Sequence, residues 1–135
     1  MAVRGFVYVA RARATGHVKI GFSSQPVHRV QQLAANTRQV LDLVAIMRGT
    51  RQDEAAMLRR RDAHRVQFFG CREWLEPCPE VDAFVTSLGP HRIGPMPLGR
   101  GVVSSLRVGF WAMFHRYTRA IEAHCARLGA VSEGA

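Results

Sequence analysis

The chain has 135 residues, 47% hydrophobic and 21% charged, which is enough apolar material for one buried core and argues against general disorder. Nineteen Lys and Arg against ten Asp and Glu give a formal charge of +9, which directs the chain toward polyanions, nucleic acid first. No apolar run is long enough to cross a bilayer, no secretory pattern opens the chain, and three irregularly spaced cysteines make no disulfide framework, so a reducing, cytoplasmic setting is expected.

Residues 6–10, rich in Val and aromatic side chains, read as a strand. Ala-Thr-Gly at 14–16 is turn material, and residues 17–22 read as a second strand completing a hairpin. Ser23-Ser24-Gln25-Pro26 is a helix-start signature, and the helix over 27–35 puts Val27, Val30 and Leu33/Ala34 on one face. Residues 40–47 read as a third strand, and Gly49-Thr50 leads into a second helix over 52–66 with a solvated Arg59-Arg60-Arg61 run. Pro79-Glu80 opens a short helix to residue 88.

The Gly- and Pro-rich stretch 89–103 has linker composition. Beyond it, residues 104–129 carry Leu106, Phe110, Trp111, Phe114, Tyr117, Ile121, Cys125 and Leu128 at helical spacing. The expected fold class is therefore α+β: a small three-stranded antiparallel sheet flanked by helices over 1–88, a linker, and a detached C-terminal amphipathic helix. The wide apolar stripe of that helix suits packing on the core or homodimer formation, and its arginines would also let it lie on DNA or a membrane surface.

The basic residues are skewed: eighteen arginines and one lysine, Lys19. Arg keeps its proton at any useful pH, whereas Lys can lose one when its surroundings depress its pKa. One of only two tyrosines, Tyr8, stands eleven residues before it on the preceding strand.

Phe6-Val7-Tyr8, Lys19-Ile20-Gly21, Arg29, Glu54 and Arg72-Glu73-Trp74-Leu75, taken in order and spacing, resemble the GIY-YIG endonuclease superfamily. Lys-Ile-Gly as the second motif is similar to a phage-associated branch that includes Mug-type proteins. The resemblance covers about residues 3–88 and implies a metal-dependent endonuclease of phage, prophage or mobile-element character acting on DNA. It implies Tyr8, Lys19, Arg29 and Glu54 as catalytic residues, with Glu54 holding Mg²⁺ or another divalent cation. Tyr8 would activate or orient the attacking water. Lys19 would carry a proton or present a fixed positive charge, and Arg29 would clamp the non-bridging phosphate oxygens.

Gly21 would let the substrate backbone approach closely, and His28 is a further phosphate-contact candidate. His64, Cys71 and Cys78 have no recognised zinc spacing, and no structural metal is expected from them. Two positions depart from the branch pattern: Leu58 where a histidine is expected, and Arg61 where an aromatic residue is expected. These leave open an alternative, a catalytically impaired DNA-binding or regulatory module on the same fold.

Overall fold

The computed structural model describes residues 5–128, apart from the side chains of residues 71–72 and 104–105. The alternating apolar residues at the start of the chain form a hairpin. β1 (Gly5–Ala12) and β2 (Val18–Ser23) pair antiparallel, with Tyr8 opposite Gly21 and Ala10 opposite Lys19. β3 (Leu41–Gly49) pairs with the other side of β1. These are the three strands read from sequence, and they form the centre of the sheet.

The α+β class holds, but the three-stranded sheet is corrected. The described residues form one sheet of six antiparallel strands in the order β4-β5-β2-β1-β3-β6. Two of the added strands come from sequence expected to be helix or irregular. The second helix, α2 (Arg51–Arg60), stops well short of residue 66. β4 (Arg65–Phe68) and β5 (Cys71–Leu75) then form a hairpin turned by Phe69 and Gly70, both at positive φ (51° and 80°). Two consecutive left-handed residues match the right-handed strand twist, which is why so short a turn reverses the chain.

The sixth strand, β6 (Arg92–Leu98), lies inside the expected linker and pairs with β3. Its Pro95 and Pro97 argue against a central strand, but β6 is at the sheet edge, where a missing N–H need not break the ladder. The terminal helix is neither single nor detached. α4 (Val102–Leu106) and α5 (Phe110–Leu128) are separated at Arg107, whose φ is +56°. Residue 129, the expected end, lies outside the described residues.

Two cores result, one per sheet face. α1 (Pro26–Thr37) and α5 cover Phe6, Tyr8, Ala10, Ala12, Leu43 and Trp74, burying Val27, Val30, Met113, Tyr117, Ile121 and Cys125 against them. The Tyr117 hydroxyl donates to the Pro97 carbonyl at 3.1 Å, so the stripe of α5 is used within its own chain. On the other face α2 and α3 (Pro79–Ser87) pack over Val7, Val9, Val18, Ile20, Ala45, Met47 and Leu75. Among the described residues no helix is long and apolar enough to cross a membrane.

Candidate active site

Strand alternation decides which polar groups meet. Tyr8 and Ala10 point to one face of β1, and Lys19, directly opposite Ala10 on β2, shares that side. Gly21 stands opposite Tyr8, and a Cβ built there would collide with the phenol ring. The glycine expected to admit substrate therefore has a role inside the fold: its missing side chain makes room for Tyr8.

Tyr8 is 1% exposed. Burial pushes its phenol up to about 12; the Arg29 charge and hydrogen bond oppose that rise, while the carboxylates of Glu54 and Glu73 add to it. At neutral pH the group is thus a protonated phenol. Arg29 comes from the first turn of α1, where Pro26 presets the backbone and the Arg29 N–H donates to the Gln25 carbonyl at 3.0 Å. Its side chain is exposed, and its charge acts on the buried phenol.

Lys19 is only 3% exposed, so the chain buries its one lysine. The ammonium Nζ donates to Glu73 Oε2 at 2.7 Å, and the glutamate side chain remains half exposed. An isolated ammonium there would be costly, so Glu73 is a condition for Lys19 occupying that place. The Lys19 hydrogen bond and charge hold the Glu73 carboxyl below its usual range, with Arg65 and Arg29 contributing.

α2 separates two acids that look alike in sequence. Thr50 and Asp53 form a reciprocal capping box: the Thr50 N–H donates to Asp53 Oδ2 at 2.8 Å, and the Asp53 N–H donates to Thr50 Oγ1 at 3.3 Å. Asp53 is occupied by the cap. Glu54 is half-buried, and desolvation raises its pKa first, the neighbouring Glu73 charge second; Lys19 and Arg51 work in the opposite sense. A desolvated carboxylate repelled by a second one is a setting that a cation would relieve, so the Glu54 oxygens could hold an oxygen-seeking ion such as Mg²⁺.

Tyr8 thus feels Arg29 and Glu54, and Glu54 feels Lys19. Glu73, not singled out from sequence as a site residue, links them by acting on Tyr8 and Glu54 and being acted on by Lys19 and Arg29. The available signal was a carboxylate inside a short motif ending in an apolar pair, in a chain whose only lysine lay in a strand. His28 stands apart: it is exposed, and its Nε2 lies 3.4 Å from Gln32 Nε2 along its own helix.

The two departures have structural roles. Leu58 is buried in the core under α2 and α3. Arg61 is not solvated with its neighbours: its guanidinium lies 3.7 Å from the Phe84 ring centroid and donates to the Met57 carbonyl at 3.0 Å. Arg61 thus packs by stacking its guanidinium on an aromatic ring. Comparison of the chain with protein families, curated proteins and solved structures finds no match.

Proposed function

We propose that the protein is a divalent-metal-dependent endonuclease hydrolysing phosphodiester bonds in DNA, with a GIY-YIG-type centre. The observation that carries this reading is the ion pair of buried Lys19 with Glu73 at 2.7 Å, with Glu73 acting on both Tyr8 and Glu54 and Arg29 acting on Tyr8. Three strands and two helices of a chain with charge +9 thereby supply one polar cluster. Hydrolysis needs an oriented water, positive charge for the phosphoryl oxygens and help for the leaving oxygen. The exposed Arg29 guanidinium supplies planar donors for the non-bridging oxygens. Tyr8, a phenol pushed up to about 12, orients the water as a neutral hydrogen-bonding group rather than taking its proton. Lys19, fixed by Glu73, contributes positive charge beneath the phosphate. A bound divalent ion would lower the pKa of water and stabilise the departing oxygen, and Glu54 is the residue to hold it.

In the step itself, the water oxygen bonds to phosphorus and gives up a proton to bulk solvent. The bridging oxygen leaves with the bonding pair and takes up a proton. Incubating supercoiled plasmid with the full chain and Mg²⁺ tests this: nicking that EDTA abolishes and Glu54→Gln removes is expected. Equal absence of nicking from wild type and variant, over several DNA substrates, overturns it.

A second reading, a DNA-binding or regulatory module without cleavage, is favoured by the near-complete burial of Tyr8 and by Leu58 in place of a proton-carrying histidine. It calls for DNA binding that weakens as salt rises, unchanged by Glu54→Gln and without nicking.

A further inference from the structure

On the side of the molecule where β4, β5 and α3 meet, three potential metal ligands of different chemistry converge. Among the described residues, His64, Cys78 and Glu80 form the one group of three or more such side chains whose ligand atoms all lie within 4.8 Å of one another. His64 ends the 3-10 turn Asp62–His64 before β4, and Cys78 and Glu80 stand at the start of α3. The two segments are joined by the backbone as well, with the Glu76 N–H donating to the His64 carbonyl at 2.9 Å.

The spacing fits a tetrahedral ion. Cys78 Sγ lies 3.6 Å from His64 Nδ1. With metal–sulfur and metal–nitrogen bonds of about 2.3 and 2.0–2.1 Å, the sulfur–nitrogen edge of a tetrahedron is about 3.5 Å. Glu76 Oε1 is 2.9 Å from the same His64 nitrogen, sharing its proton. A metal at Nδ1 would take the place of that hydrogen bond. The Cys78 thiol is not committed to the helix: Cys78 is the N-cap of α3 yet makes no side-chain cap bond.

We propose that His64, Cys78 and Glu80 form a zinc-binding site, its fourth position open to solvent, that braces the β4–β5 edge of the sheet against α3. A thiolate, an imidazole and a carboxylate together suit Zn²⁺ and disfavour Mg²⁺ and Ca²⁺, which take oxygen donors. The brace has a mechanical object. β5 pairs with β2 only at Val18–Leu75 and Lys19–Trp74, and Glu73 lies on that strand. An ion anchored at Cys78, three residues past Leu75, fixes the segment that follows β5. The site is separate from the nuclease reading and stands without it.

Cobalt substitution tests the proposal. The full chain, stripped with EDTA and titrated with Co²⁺, is expected to bind one equivalent with a near-ultraviolet thiolate-to-cobalt band and visible bands of tetrahedral intensity, both displaced by Zn²⁺. Cys78→Ser should lose the charge-transfer band. His64→Ala should weaken Co²⁺ binding at least tenfold, whereas Cys125→Ser and Glu54→Gln should keep the spectrum. Absence of a thiolate band from wild type, which involves no variant that could misfold, overturns the proposal; so does a band that survives in folded Cys78→Ser.

Discussion

On the face toward α2 and α3, β1 and β2 contribute Val7, Val9, Val18 and Ile20, all with no exposed surface. On the face toward α1 and α5 the same strands contribute Tyr8 and Lys19 beside Ala10 and Ala12, and these polar groups are nearly as buried. The first face needs only apolar complementarity. The second must satisfy a phenol and an ammonium, so it recruits Arg29 from α1 and Glu73 from β5, and Glu54 enters the same field from the start of α2. Two faces of one sheet can thus be separated experimentally: changes on the apolar face should cost stability, and changes among the polar groups should cost function first.

The largest effect is expected from Glu54→Gln, which should lower plasmid nicking by at least about 100-fold. The same variant should raise Tm at pH 7–8. The folded-state pKa of Glu54 is raised, so its charge costs stability once pH exceeds that value, and removing the charge removes the cost. A Tm that falls would break the contrast between the faces.

Ile20→Ala should cost about 2–4 kcal/mol in denaturant unfolding while leaving the nicking rate of the folded fraction unchanged. Tyr8→Phe sharpens the comparison through pH. A phenol pushed up to about 12 in the fold contributes stability that is whole below about pH 10 and lost as pH rises toward 12, worth about 2–3 kcal/mol. The Phe variant should lack this alkaline fall when the two unfolding curves are compared. Glu73→Gln should destabilise by about 1–2 kcal/mol, less than for a fully buried pair because the glutamate is half exposed. Arg61→Ala should cost about 1 kcal/mol through its stacking on Phe84, with nicking unaffected.

Which elements carry the candidate residues was legible because strands and helix starts follow short-range rules, whereas the choice of Tyr8, Lys19, Arg29 and Glu54 came from the resemblance. Alternation placed Tyr8 and Lys19 within strands, and Pro26 marked the helix that carries Arg29. Glu54 could not be separated from Asp53 in the same way. Both acids suit a first helical turn, and only the Thr50–Asp53 capping box shows which one the helix uses. The β4–β5 hairpin was missed because Phe69 takes a left-handed conformation that its residue type does not advertise. β6 was missed because Pro95 and Pro97 signal a break unless the strand is known to be at an edge.

By itself the sequence determined the central hairpin, the third strand, the amphipathic stripes and the basic charge, since each follows from periodicity or composition along the chain. Tertiary structure alone decided that Lys19 is buried, that Glu73 accompanies it, and that His64 comes to Cys78 across fourteen residues. Those outcomes depend on which strands become neighbours, and neighbour choice is set by burying both sheet faces at once, a condition no local stretch of sequence contains.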